Sequence, residues 1–277
     1  MGLAAWGAGR VYSPTSLMND ARPLILVSND DGVFAAGVRA LAEALAPVGD
    51  VFTVAPRYEQ SAASHAITLT RPLRLECVGE RRFCVDGSPA DAVYVALHHP
   101  ELLPRRPTLV VSGINHGLNM GSDVFYSGTI AAAREGALRG IDAMAVSTPG
   151  DNDLAAVGRF AADVAASLLD HARARPPSEP AALWNLNVPR APVRGVRITR
   201  QGERIYDDMV EVRADPRGRP YLWISGPSVR HPTLEGADTT AFDAGWASLT
   251  PLSLDATRAD AMAALWSRFA PKETSDR

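Results

Sequence analysis

Asp30 and Asp31 stand side by side directly after the apolar run Leu24-Ile25-Leu26-Val27, within the segment Ser28-Asn29-Asp30-Asp31-Gly32. An apolar, β-branched run of this length reads as a core strand of a parallel sheet, and open α/β sheets bind ligands just beyond the carboxyl ends of such strands. Two adjacent carboxylates there repel each other, which raises the pKa of one of them unless a cation compensates both. The pair therefore points to a divalent metal site. The competing reading is an Asp-Gly turn in which one aspartate caps the next helix, and this segment alone does not choose between the two.

Two further loops offer oxygen donors beyond strand ends: Gln60-Ser61, and Ser112-Gly113-Ile114-Asn115-His116-Gly117-Leu118-Asn119. Neither contributes a cysteine. Hard oxygen donors select Mg²⁺, Mn²⁺ or Ca²⁺ over zinc. The candidate ligand set is Asp30, Asp31, Ser61 and Asn115, one divalent ion per subunit, with positions left for water and a substrate oxygen. The second loop runs on to Tyr126-Ser127-Gly128-Thr129 at a helix start, where free N–H groups and the Ser127 and Thr129 hydroxyls form an anion site. Ser and Thr at such a position are also ordinary caps, and it is the neighbouring metal site that favours phosphate. A dication beside a phosphate-binding helix end suits phosphate-ester hydrolysis, with attack by water and one carboxylate of the Asp30/Asp31 pair assisting its deprotonation. An aspartyl-phosphate intermediate is the competing mechanism. Asn29 and Asn119 are candidates for orienting ligands or substrate.

These loops need a sheet to hold them. Val38, Leu41 and Leu45 recur at helical spacing, Val51 to Ala55 reads as a second strand, and this strand-helix-strand order implies a βαβ unit in a parallel sheet. Residues 67–86 alternate as a hairpin around Gly79, an excursion from the main sheet. Ser88-Pro89-Ala90-Asp91 opens a helix. Thr108 to Val111 is a strand, followed by a long Gly- and Asn-rich loop from Ser112 to Gly128. A helix over 129–139, a strand over 143–147 and a helix from Leu154 to Leu168 follow. Residues 173–180 are Pro-rich and read as a boundary. Beyond it lie strands at 184–188 and 193–199, a hairpin over 205–225 turning at Asp215-Pro216-Arg217-Gly218, and a closing helix over 260–269. The expected organisation is thus a leader (1–22, disordered), a catalytic core (23–175) and a strand-rich and helical C-terminal region (176–277). The apolar residues Ile205, Val210, Tyr221 and Trp223 on the hairpin call for a covering surface, which we read as a second copy of the chain.

With 277 residues, 46% of them apolar, the chain can bury one large α/β domain with an appendage. A net charge of −3 argues against binding nucleic acid duplexes, which takes a concentrated basic face. No run approaches the ~18 apolar residues of a membrane span, and residues 1–22 lack the pattern of a signal peptide. Met18 is a candidate natural start. The two cysteines, Cys77 and Cys84, read as reduced thiols of a cytoplasmic protein.

Several ordered motifs together resemble the SurE nucleotidase family: Ile25-Leu26-Val27-Ser28-Asn29-Asp30-Asp31-Gly32, Val54-Ala55-Pro56 leading to Ser61, Gly87-Ser88-Pro89-Ala90-Asp91, Val111-Ser112-Gly113-Ile114-Asn115 with Gly117 and Asn119, and Tyr126-Ser127-Gly128-Thr129. A weaker echo lies at Gly245 to Leu252. The resemblance implies a Rossmann-like core and a metal-dependent phosphatase of nucleoside 5′- and 3′-monophosphates, sometimes of short polyphosphate. It also implies Asp30, Asp31, Ser61 and Asn115 as metal ligands, and a C-terminal region exchanged within a homodimer or homotetramer. Ser61-Ala62 departs from the Ser-Gly of many relatives but keeps the proposed ligand. Of the histidines, His98 and His99 read as a solvated helix end, His116 as loop surface, and His65 as a minor substrate contact. Trp184, Trp223, Trp246 and Trp266 read as core or interface anchors.

Overall fold

The computed structural model describes residues 22–269 apart from Pro177, Asp208 and residues 226–228. The leader before Arg22 and the candidate start at Met18 lie outside the described residues.

The chain runs β1 (Leu24–Ser28), α1 (Ala36–Leu45), β2 (Asp50–Pro56), β3 (Leu75–Gly79), β4 (Arg82–Val85), α2 (Pro89–His98), β5 (Leu109–His116), a short 3-10 turn (Gly121–Phe125), α3 (Gly128–Leu138), β6 (Ala143–Thr148), α4 (Leu154–Ala174) and β7 (Leu183–Asn187). Then come β8 (Val196–Ile198), β9 (Ile205–Tyr206), β10 (Met209–Ala214), β11 (Pro220–Ser225), β12 (Val229–Arg230), α5 (Asp238–Asp243), β13 (Ala247–Leu252) and α6 (Ala259–Phe269). Nine strands form one sheet in the order β3-β4-β2-β1-β5-β6-β7-β13-β8. The stretch from β4 to β7 is parallel, and β3 and β13 run against their parallel neighbours.

β1 shows why its sequence has no polar side. Leu24 and Leu26 pack with Val93, Ile130 and Ala133 from α2 and α3, whereas Ile25 and Val27 pack with Leu41, Val157 and Leu169 from α1 and α4. Both faces are covered, so the fold is a three-layer α/β/α sandwich, and each fully buried leucine, isoleucine or valine among these contributes about 1.5–3 kcal/mol. Local chemistry sets the helix starts. Ser88 Oγ accepts from the Asp91 N–H (3.0 Å) while Asp91 Oδ2 accepts from the Ser88 N–H (2.9 Å), a reciprocal cap on α2. Asp153 caps α4 through the N–H groups of Ala155 and Ala156.

Three readings of the sequence are corrected. The hairpin around Gly79 is no excursion: β4 pairs in parallel with β2, Val54 opposite Phe83, and so extends the main sheet. Alternation identifies a strand but not the edge it meets. Ser112 to His116 is strand rather than loop, because β5 continues past an irregularity alongside β6 and carries Asn115 opposite Ser147. α4 runs on to Ala174, into the expected boundary. Beyond that boundary, β7, β13 and β8 join the same sheet, whereas the β10/β11 hairpin leaves Val210, Val212, Leu222 and Ile224 exposed. Among the described residues no helix is long and apolar enough to cross a membrane. Both cysteines are free.

Candidate active site

At the carboxyl end of β1 the chain turns sharply. Asn29 is buried and its Nδ2 donates to the Gly32 carbonyl (3.0 Å), with Gly32 at φ +99°, a conformation that suits only glycine well. The Val33 N–H reaches the Pro56 carbonyl (2.8 Å) and the Gln60 N–H reaches the Asp30 carbonyl (2.7 Å), tying this turn to the end of β2. The N-cap of α1 is Ala35 and no side chain caps it, so neither aspartate is spent as a helix cap.

Asp30 is almost wholly buried. Thr129 Oγ1 donates to its Oδ1, and the Thr129 backbone N–H adds to the hold. Burial is the main cause that lifts the Asp30 carboxyl to about 6; the Asp31 charge adds to the rise and the Thr129 bonds oppose it. α3 stands so close that a Cβ on Gly128 would lie 2.7 Å from Asp30 Cβ, so only glycine fits at this helix start. The Asp31 carboxyl is also raised, first by burial, with His116 opposing and Glu59 reinforcing. Its Oδ2 is buried without a hydrogen-bond partner.

An open cavity of about 1060 Å³ lies against the pair. Asp30, Asp31, Ser61, Asn115, Asn119 and Ser127 all reach it. Ser61 Oγ donates to Glu59 Oε1 (2.6 Å). Asn115 Nδ2 donates to the Gly117 carbonyl (2.9 Å), leaving its side-chain oxygen for a ligand. Ser127 caps α3, accepting from the Ile130 N–H (3.1 Å), so its own hydroxyl hydrogen stays available to donate. Asn119 is held in a buried lattice: its N–H donates to Asn187 Oδ1 (3.0 Å), its Nδ2 to Ser147 Oγ (2.8 Å), and its carbonyl accepts from Asn185 (2.7 Å). The remaining candidates, Asn29, Gly128 and Thr129, lie behind the cavity wall rather than on it.

The far wall comes from residues that no sequence motif marks. Arg204 pairs with Asp123, and the Tyr206 hydroxyl donates to both Asp123 carboxylate oxygens (2.7 Å each), which with burial lifts the phenol to about 12. Asp238, fully buried, accepts from the N–H groups of Gly121 (3.0 Å) and Gly202 (2.8 Å) and so fastens the segment carrying Arg204 to the 3-10 turn carrying Asp123. No local pattern in the sequence links positions some 80 residues apart. His116, read as loop surface, stands on the cavity beside Asp31. His65, read as a substrate contact, instead bonds Glu135 (2.8 Å). Trp184 is core, whereas Trp223 and Trp266 are exposed.

The donor set has the character of a hard-cation site: oxygens only, an unpartnered buried carboxylate oxygen on Asp31, and a neighbour whose charge is opposed by its surroundings. Among the described residues no group of three or more His, Cys, Asp or Glu side chains could hold a metal.

The family described as Survival protein SurE matches residues 25–208. The 5′-nucleotidase SurE of Sorangium cellulosum is 51% identical over 235 residues, 84% of this chain and 91% of that protein. The 5′-nucleotidase SurE of Myxococcus xanthus is 47% identical over 244 residues, 87% of this chain and 91% of that protein. Among solved structures, the SurE protein from Aquifex aeolicus superimposes with a TM-score of 0.76 at 34% identity, covering 89% of this chain and 99% of that one.

Proposed function

We propose that this chain, which belongs to the SurE family, is a 5′-nucleotidase: a metal-dependent phosphomonoesterase that splits nucleoside monophosphates into nucleoside and phosphate. The observation that carries this reading is the pair Asp30 and Asp31, buried against its own charge at the wall of an open cavity. One divalent cation per subunit, Mg²⁺ or Mn²⁺ and alternatively Ca²⁺, would be held by Asp30, Asp31, Ser61 and Asn115. When bound, such an ion supplies Lewis-acid polarisation of a phosphoryl oxygen.

The protein's own groups then divide the work. Asp30 is held in place by Thr129. Asp31, on the cavity wall, takes the proton from the attacking water. Ser127, which reaches the cavity with its hydroxyl hydrogen free, donates to an equatorial phosphoryl oxygen, where charge builds up during in-line displacement. Asn119 holds the floor of the cavity. The space exceeds what a phosphate alone needs, which agrees with nucleoside 5′- and 3′-monophosphates and short polyphosphates as substrates. A homodimer or homotetramer would cover the exposed hairpin of β10 and β11, and free thiols suit a cytoplasmic protein.

Phosphate release from a panel of 5′- and 3′-monophosphates and tripolyphosphate, by protein stripped with EDTA and resupplied with each metal, tests the reading. Metal-dependent release from nucleoside monophosphates supports it. No release from any of them with any of the metals would remove it.

A further inference from the structure

We infer that His65 and Glu135 form a positioning latch that sets the Ser61 loop at a fixed distance from Asp30. The latch rests on the reading of Ser61 and Asp30 as ligands of one site. The loop between β2 and β3 has no sheet pairing over residues 57–74, and Ala62 and Ser64 hold φ angles of +56° and +51°, where L side chains are strained. It therefore does not keep its shape on local preference alone.

Its anchors lead to α3 and the turn just before it. The Ser64 N–H donates to the Tyr126 carbonyl (3.0 Å) and Ser64 Oγ to the Phe125 carbonyl (2.7 Å). Next along the chain, His65 Nε2 meets Glu135 Oε2 at 2.8 Å. Glu135 follows Gly128 by seven residues, about two helical turns or ~10 Å, which places both on one face of α3. Gly128 abuts Asp30 and Glu135 takes His65, so one rigid helix gauges the span between the acidic turn and the Ser61 loop.

Glu135 itself argues for a role beyond packing. It is 1% exposed on a helix whose other buried positions are Gly128, Thr129, Ile130, Gly136 and four alanines, and an apolar residue in its place would pack at no electrostatic cost. Its charge is met by His65 and by Arg139 Nε (2.7 Å). Arg139 alone could serve it from the same helix; His65 brings in the loop.

The test is Mn²⁺ binding to the substrate-free protein, followed by electron paramagnetic resonance, together with amide exchange of residues 57–66 in the metal-free protein. His65→Ala should weaken Mn²⁺ binding about tenfold and speed exchange in the loop but not in β1 or β5. His65→Gln, whose amide nitrogen reaches about as far as Nε2, should restore most of both. If His65→Ala does not fold, Glu135→Gln carries the same comparison. Unchanged Mn²⁺ affinity in the variant, with or without faster exchange, overturns the latch. So does a loss of affinity that His65→Gln leaves unrepaired. Wild-type protein that binds no Mn²⁺ brings down the metal reading itself, an outcome distinct from a latch that fails while the site still binds.

Discussion

Replacing Asp30 by Asn should make the metal-free protein more stable and the enzyme nearly inactive. In the unfolded chain Asp30 ionises near the ordinary 3.8, whereas the folded protein keeps its proton up to about 6, because burial opposes the charge. Between these values the folded state binds more protons than the unfolded one, so stability falls as pH rises through that window and the full cost is present at neutral pH. The rise corresponds to about 3 kcal/mol at ~1.4 kcal/mol per pKa unit. Asn keeps the shape and an oxygen to accept from Thr129, but a neutral acceptor gives back about 1 kcal/mol. The net gain is about 2 kcal/mol, or roughly 4–8 °C in Tm for a chain of this size. Thermal unfolding in EDTA at pH 7.5 and pH 4 should show the variant ahead at the higher pH and level or behind at the lower. Added Mn²⁺ should raise the Tm of the wild type and not of the variant, while phosphate release falls at least ~10²-fold. A variant less stable than wild type at pH 7.5, or a difference that does not depend on pH, would refute the claim that Asp30 is held against its charge. Near-normal activity would refute its place in the site.

Thr129→Val removes a hydrogen bond that lowers the Asp30 pKa, so the acid limb of the pH–rate profile should move to higher pH; a limb that stays in place would mean Asp30 does not set it. Gly128→Ala places a methyl 2.7 Å from Asp30 Cβ and should cost about 1–3 kcal/mol in denaturant unfolding and at least about tenfold in rate. Wild-type behaviour there would show that the helix start yields easily. Val212→Glu puts a charge on the exposed apolar face of the hairpin and should shift the protein toward monomer in light scattering, with no change expected if that face stays in water.

The central strands were legible because burial on both faces leaves only apolar residues, and β1, β2, β5 and β6 each showed such a run. Capping chemistry marked α2 equally well, since Ser88 and Asp91 bond each other across one turn. What stayed hidden was long-range. β13 completes the sheet between β7 and β8, yet its short run at Ala247–Leu252 looks like many others, and nothing local says which strand it will join. Asp238 is invisible for the same reason: its value lies in two amides more than thirty residues away in sequence. His65 and His116 both stand elsewhere than sequence position suggests, His65 bonded to Glu135 on α3 and His116 at the end of β5 beside β6, because those contacts are long-range and no neighbouring residue encodes them.

The start of α3 shows where motif reading reaches its limit. In sequence Ser127-Gly128-Thr129 resembles a cradle for phosphate, because free amides and a helix dipole favour an anion. The same physics favours a carboxylate, and the structure has one there: Thr129 turns its hydroxyl and amide to Asp30, and Gly128 is small so that Asp30 can approach. Of the three, Ser127 alone faces the cavity. A phosphate arriving at this helix end would therefore stand next to an anion already in place. Two negative groups share one helix terminus at lower cost with positive charge between them, and Arg204, the one arginine on the cavity wall among the described residues, is already paired with Asp123. On the proposed reading a cation would therefore serve the helix end as well as the acidic pair, with Asp30 common to both.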